Sequence, residues 1–252
     1  MLSADFSRSA AFSAYKSVWR AADWVFPPSC AGCGKNGCCW CPECKSKISP
    51  MPSPVCKRCG LPVKYQSSCD RCINENPPYD FLRSYSEYTE PLRSAIIRMK
   101  EYPDYGLGLA LSEYLQVLFS QLPWQVDLIV PVPINHQHSR QRGYNQTDLF
   151  AFPLALANNI PYSSKAVKRI RETRSQVGLS AAERATNVNG AFQADPALVY
   201  GKSILVVDDV ATTGSSISAC ASALKVAGSL KVCGITLSRP IFKDLIHIPA
   251  DI

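Results

Sequence analysis

The chain has 252 residues, room for one large domain or for a medium domain plus a small one. With 46% hydrophobic and 19% charged residues it reads as an ordinary globular chain, not a disordered or fibrous one. Its formal charge of +7 suits anionic partners, phosphate-bearing substrates and nucleic acid alike. No apolar run reaches the roughly eighteen residues that a membrane-spanning helix needs.

The N-terminus lacks the basic start, the continuous apolar stretch and the small-residue cleavage site of a secretory signal, so a cytoplasmic location is expected. Phe12, Tyr15, Val18, Trp19, Ala22, Val25 and Phe26 recur at helical spacing. They predict an amphipathic helix within residues 1–26, docked on the protein's own core.

Ten of the twelve cysteines then fall between Cys30 and Cys72, in a proline-rich stretch without hydrophobic periodicity. Such a module, placed at residues 27–78, cannot build much core and needs another source of stability. Four Cys-x-x-Cys pairs supply it: Cys30/Cys33, Cys41/Cys44, Cys56/Cys59 and Cys69/Cys72. Two intervening residues let both sulfurs of a tight knuckle face one ion, and two knuckles complete a tetrahedron. Eight thiolates therefore hold about two zinc ions, and a reducing compartment disfavours the alternative of disulfides. Sequential pairing is expected, with crossed pairing (first with third, second with fourth) as the alternative. Cys38 and Cys39 read as incidental, with Cys39 as an alternative ligand to Cys41.

Beyond residue 78 helices and strands alternate, which predicts a parallel sheet covered on both faces over residues 79–252. A helix is expected from Pro91 to Lys100 with Thr89 as its cap, and another from Leu107 to Leu118. The run from Asp127 to Pro133 reads as a buried strand entering a stiff turn, where the bonds before Pro131 and Pro133 are cis candidates. Arg140, Arg142, Gly143, Tyr144, Asn145 and Gln146 follow, and both arginines are candidate phosphate ligands through bidentate hydrogen bonds. His136 and His138 read as surface residues. A helix over Ala151–Asn158 starts near Asn145. The polar segment from Arg171 to Arg184 reads as a mobile loop able to close over a ligand. Lys165, Lys168, Arg169, Arg171 and Arg174 make its approach basic, which suits a nucleic-acid backbone.

The most informative stretch runs from Ile204 to Ser216. An apolar β-branched strand delivers Asp208 and Asp209 to its carboxyl end. Ala211, Thr212, Thr213, Gly214, Ser215 and Ser216 then form a turn opening a helix to about Ala227. Carboxylates accept hydrogen bonds from sugar hydroxyls, and a helix N-terminus favours an anion. The combination fits a ribose 5-phosphate. A last strand follows at Val232–Leu237, and Cys220 and Cys233 read as small core residues.

This stretch resembles the phosphoribosyl-pyrophosphate (PRPP) motif of type I phosphoribosyltransferases, with Ala211 where relatives often carry a bulkier side chain. From Phe26 to about Arg239 the chain resembles the ComF family of competence and DNA-uptake proteins, the first two dozen residues and the tail after Pro240 lying outside the resemblance. The resemblance rests on the paired Cys-x-x-Cys motifs, Lys100, Pro131-Val-Pro133, Arg142-Gly-Tyr-Asn-Gln146, Thr173, Gln176, Leu179, Arg184, Asn187, Ala191-Phe192 and the Asp208 motif. It implies a type I phosphoribosyltransferase fold behind an N-terminal double zinc ribbon. It also implies Mg²⁺ with PRPP as ligand, Asp208 and Asp209 as the catalytic pair, and Arg171, Thr173, Gln176 and Arg184 as the closing loop. Implied partners are single-stranded DNA and the DNA-uptake machinery. Two readings follow: an accessory factor that binds PRPP and handles single-stranded DNA, or an active transferase that passes phosphoribosyl to an acceptor and releases pyrophosphate. Glutamine-dependent amidotransfer is not expected, because the sequence contains neither a glutaminase domain nor an N-terminal cysteine nucleophile.

Overall fold

The computed structural model describes residues 10–25, 27–65, 67–134, 142–171 and 190–241. The elements in chain order are α1 (Ala10–Val25), α2 (Pro42–Ser46), α3 (Asp70–Glu75), β1 (Phe81–Glu87), α4 (Leu92–Glu101), α5 (Tyr105–Ser120) and β2 (Leu128–Pro131). They continue with α6 (Asp148–Asn158), β3 (Val167–Arg169), β4 (Phe192–Ala194), α7 (Pro196–Val199), β5 (Ser203–Val210), α8 (Ser215–Val226) and β6 (Lys231–Arg239). β1, β6, β5 and β2 form, in that spatial order, a sheet whose neighbouring strands are all parallel.

The two central strands are apolar on both faces, as a covered parallel sheet requires. Leu205, Val207, Ile235 and Leu237 face a cluster with Ile96, Leu111 and Phe150 from α4, α5 and α6. Ile204, Val206 and Val232 face a second cluster with Ile217 and Leu224 of α8 and Phe192 of β4. α8 lies so close to the sheet that a Cβ on Gly234 would stand 2.8 Å from Ile217 Cγ2.

The edge strand β1 is absent from the sequence reading. Its buried positions alternate through Leu82, Ser84 and Ser86, so two of the three are polar. Ser84 Oγ is satisfied by Thr236 Oγ1 at 2.7 Å and Ser86 Oγ donates to Glu87 O at 3.3 Å, which is why the sheet tolerates them. The outer edge of β1 is covered by the cysteine module: Met51 N–H donates to Tyr85 O, and Leu82 N–H to Arg58 O. At the opposite edge, residues 161–163 cover β2, with Ile129 N–H donating to Pro161 O and Ser163 N–H to Ile129 O.

Local details refine the expected boundaries. Glu90, not the Thr89 side chain, closes the start of α4, its Oε2 accepting from Ser94 N–H at 3.2 Å. Asp104 caps α5 by accepting from Leu107 N–H at 2.9 Å, and pairs with Arg98 at 2.9 Å. Among the described residues the cis bonds are Ser53–Pro54 and Glu90–Pro91, so neither bond before Pro131 or Pro133 is cis. α1 docks on α5 and α6: Phe12 is buried, Trp19 stacks on Tyr105 with centroids 4.2 Å apart, and Tyr15 meets the edge of Phe152. Val18 leaves the expected stripe and stands 61% exposed. No helix among the described residues is long and apolar enough to cross a membrane.

α5 and α6 are in close contact at Gly108, where an added Cβ would lie 2.5 Å from the Leu149 carbonyl oxygen. Backbone cannot retreat as a side chain does, so Gly108→Ala should destabilise the protein by about 1–3 kcal/mol, outweighing the ~1 kcal/mol gain in helix propensity. Urea unfolding measures the difference; a more stable variant would mean that the helices are not in contact there.

Candidate functional site

β5 carries the carboxylate pair near its carboxyl end, directly after its buried apolar segment Ile204–Val207. Asp209 is buried and Asp208 retains some exposure, with Asp209 N–H donating to Asp208 Oδ1 at 2.9 Å. Ala211 N–H donates to Ser238 O of β6, which fixes the turn to the neighbouring strand, and its small side chain is buried. Gly214 then takes φ of 75°, a conformation in which any other side chain is strained, and α8 starts at Ser215. Thr213 Oγ1 accepts from Ser215 N–H at 3.3 Å. The hydroxyls of Thr212, Thr213, Ser215 and Ser216 therefore gather at a helix N-terminus beside the two carboxylates.

A cation meets the acidic pair. Lys100, from the last turn of α4, places Nζ 3.0 Å from Asp209 Oδ2. Gln146 Nε2 donates to the same oxygen at 3.1 Å, and Arg142 Nη1 donates to Gln146 Oε1 at 3.1 Å. The string bearing Arg142 and Gln146 is itself anchored. Tyr144 OH donates to Met99 O, next to Lys100, and Asn145 Nδ2 donates to Val132 O at the end of β2. Asn145 Oδ1 in turn accepts from Thr147 N–H at 3.1 Å.

Burial, followed by the neighbouring Asp209 charge, pushes the Asp208 carboxyl up to about 8, and Lys100 only partly offsets this. Burial works against the Lys100 charge, but Asp209 outweighs it and the ammonium is held above its ordinary pKa. The site thus contains one firmly paired carboxylate and one that lacks a full counter-charge. A sugar diol or a metal-bound water would serve Asp208 as hydrogen-bond donor.

The expected residues Asp208, Asp209 and Ala211 to Ser216 are contiguous here, and Arg142 joins them through Gln146. Arg171 lies exposed two residues beyond β3. Arg140, Thr173, Gln176 and Arg184, like His136 and His138, fall outside the described residues. The Lys100–Asp209 pair escaped the residue-level reading, which noted Lys100 only through the family resemblance. A signal existed: a lysine in the last turn of a helix whose other face is apolar.

The cysteines form two tetrads, Cys30/Cys33/Cys41/Cys44 and Cys56/Cys59/Cys69/Cys72, with the sulfurs of each within 4.8 Å of one another. The pairing is therefore sequential, and Cys38, Cys39, Cys220 and Cys233 stand outside both. Tetrahedral zinc with bonds of about 2.3 Å has sulfurs about 3.8 Å apart. Cys33 and Cys41 sulfurs lie 3.6 Å apart, as do those of Cys59 and Cys69. Cys41 N–H points to Cys30 Sγ and Cys69 N–H to Cys56 Sγ, so backbone donors already face the sulfurs as a thiolate requires. These residues fit two structural zinc ions. The first tetrad is built into the core on the α4–α5–α6 side of the sheet and the second into the core on the α8 side.

A family model described as "Double zinc ribbon domain" matches residues 21–73. Competence protein F of Haemophilus influenzae is 33% identical over 206 residues, covering 77% of this chain and 86% of that protein. DNA utilization protein YhgH of Salmonella typhimurium is 36% identical over 187 residues, 71% of this chain and 81% of that one. Competence protein ComFC of Bacillus subtilis is 25% identical, covering 79% and 83%. Solved structures with a partial likeness include the glutamine PRPP amidotransferase from B. subtilis (22% identity, 52% of this chain and 27% of that chain, TM-score 0.37). Adenine phosphoribosyltransferase from Leishmania donovani is another (10% identity, 68% and 78%, TM-score 0.35).

The parallel sheet, its two adjacent carboxylates and the helix-opening turn make this an α/β protein with an N-terminal double zinc ribbon. Within that class, the chain belongs to the competence protein F (ComF) family.

Because metal supplies folding energy that so small a module cannot draw from a core of its own, protein purified without chelator should contain about two zinc ions per chain by elemental analysis. A folded, metal-free protein with Cys30 and Cys33 joined as a disulfide would contradict the assignment.

Proposed function

We propose that this chain binds PRPP with Mg²⁺ at the carboxyl end of β5 and assists the handling of single-stranded DNA during DNA uptake. The observation that carries the reading is the Asp208–Asp209 pair, braced by Lys100 and Gln146 and followed directly by the Gly214 turn into α8. Asp208 and Asp209 would hold the ribose hydroxyls or magnesium-bound water, and residues 211–216 the 5-phosphate. Mg²⁺ would neutralise the pyrophosphate when bound. Arg142, aligned by Gln146, is placed to contribute positive charge to the same anion.

DNA handling draws support from two sources: relatives bear names that refer to competence and DNA utilization, and the surface around β3 is basic. Lys165, Lys168 and Arg171 are exposed there, whereas Arg169 lies over the Phe192 ring at 5.5 Å from its centroid. The division at residues 27, 78 and 79 belongs to this reading too, with the ribbons as a distinct sequence module on the transferase-type domain.

Calorimetric titration with PRPP and Mg²⁺ tests the first half. Each charge-assisted hydrogen bond is worth about 1.5–3 kcal/mol, so Asp208→Ala with Asp209→Ala should weaken binding at least tenfold. Unchanged affinity in a folded double variant would place the site elsewhere. Release of pyrophosphate on adding an acceptor would favour the active-transferase reading.

The second half is read from salt dependence. Single-strand binding loses about 0.7 in log–log slope per phosphate contact. Replacing Lys165, Lys168 and Arg171 by Gln should therefore flatten the slope by about 2 and leave PRPP affinity unchanged. A slope identical to the parent's would remove this surface from the DNA path.

A further inference from the structure

Arg239, the last residue of β6, is fully buried (0% exposed). Its Nη1 donates to the carbonyl oxygen of Cys59, a ligand of the second tetrad. Among the described residues its Nε and Nη2 have no hydrogen-bond partner and no carboxylate forms an ion pair with it. Glu87, opposite it in register on β1, is exposed. A buried guanidinium without a counter-charge is costly.

The second cysteine tetrad has the complementary problem. Zinc with four thiolates is a dianion, and here Cys56, Cys59 and Cys72 are buried. The other arginines near it are already engaged: Arg71 pairs with Glu75, Arg83 donates to Lys57 O and Leu82 O, and Arg58 to Tyr79 O and Pro77 O. Among the described residues the first tetrad has no fully buried arginine. Cys33 is exposed, and Lys35 and Glu43 pair at its rim in solvent.

We infer that Arg239 is the buried counter-ion of the second zinc–thiolate centre, a positioning residue that holds this metal far more firmly than the first. The charges of metal centre and guanidinium offset each other inside the fold, and the Cys59 carbonyl fixes their relative position. The inference does not depend on what the phosphate turn binds. It does tie the second zinc to that turn, because Ser238, the residue before Arg239, accepts the Ala211 N–H.

Zinc release from the full-length protein to a chromophoric chelator is the test. Two phases are expected, with Cys33→Ser identifying the one that belongs to the first centre. Arg239→Met should speed release from the second centre at least tenfold and leave the first unchanged; Arg239→Lys, which keeps the charge, should restore the slow phase. Equal acceleration of both phases, or none in a folded Met variant, would overturn the assignment. So would a folded Lys variant that loses the second zinc as fast as the Met variant.

Should Arg239→Met fail to fold, adding Cys69→His decides the matter. Histidine is neutral as a ligand, so the centre carries one negative charge fewer and needs Arg239 less. The double variant should regain folded, zinc-loaded protein. If it remains as defective as Arg239→Met, the role of Arg239 is packing and not charge.

Discussion

Two adjacent carboxylates at the end of a buried strand repel each other, and most of the site's architecture answers that repulsion. Asp209 receives the Lys100 ammonium and the Gln146 amide on one oxygen. Meeting that demand fixes the C-terminal turn of α4 against β5 and requires the 142–146 string to lie between α4 and β2. Tyr144 and Asn145 hold it there through the carbonyls of Met99 and Val132. Asp208 is left with less compensation, and burial together with Asp209 raises its carboxyl to about 8. Its ionised form would be favoured by a cation or by hydroxyl donors, so the same feature that burdens the free protein favours the proposed ligand.

The cysteine module solves a different problem, the open edge of the sheet. β1 exposes backbone groups that would pair with any extended chain. Met51 and Arg58, one on each side of the Pro54 turn, take up partners on β1, while the two tetrads embed on opposite faces. Trp40 reinforces the first, its Nε1 donating to Tyr114 OH of α5 at 2.8 Å. Gly32 and Gly60 permit the close fit, since a Cβ on Gly60 would stand 2.5 Å from the Leu82 carbonyl oxygen. The ribbons are thus part of the core on both sides, which explains why a segment rich in proline and poor in periodicity still forms a defined structure.

The sequence made the chemistry legible where spacing is short. The Cys-x-x-Cys pairs, the strand Ile204–Val207 and the turn through Gly214 all encode local geometry within a dozen residues. It also revealed β2, β6, α5, α6 and α8, because their apolar content outweighs context. β1 stayed hidden because Ser84 and Ser86 look solvent-facing, and the partner that lets Ser84 be buried, Thr236, lies some 150 residues away. The β3–β4 hairpin stayed hidden because each strand is only three residues long. Lys100 with Asp209 and Arg239 with Cys59 are long-range pairs that no periodicity announces. What went unread was tertiary in origin, not a matter of local propensity.

β6 connects the parts. It lies between β1 and β5, is buried from Val232 to Arg239, and ends beside both the turn after β5 and the second cysteine tetrad. At one residue, Ser238, it accepts the N–H that sets the start of the turn into α8; at the next, Arg239, it reaches the third cysteine knuckle, in the second tetrad. Adjacent residues of a strand point to opposite faces, yet their backbone groups move together. A shift in the knuckle therefore reaches Ala211 through one peptide unit, without a chain of side chains in between. This gives a structural reason for a zinc module to accompany this α/β domain. The turn, formed by small residues around a glycine in the left-handed region, takes its position from a strand that the ribbon anchors.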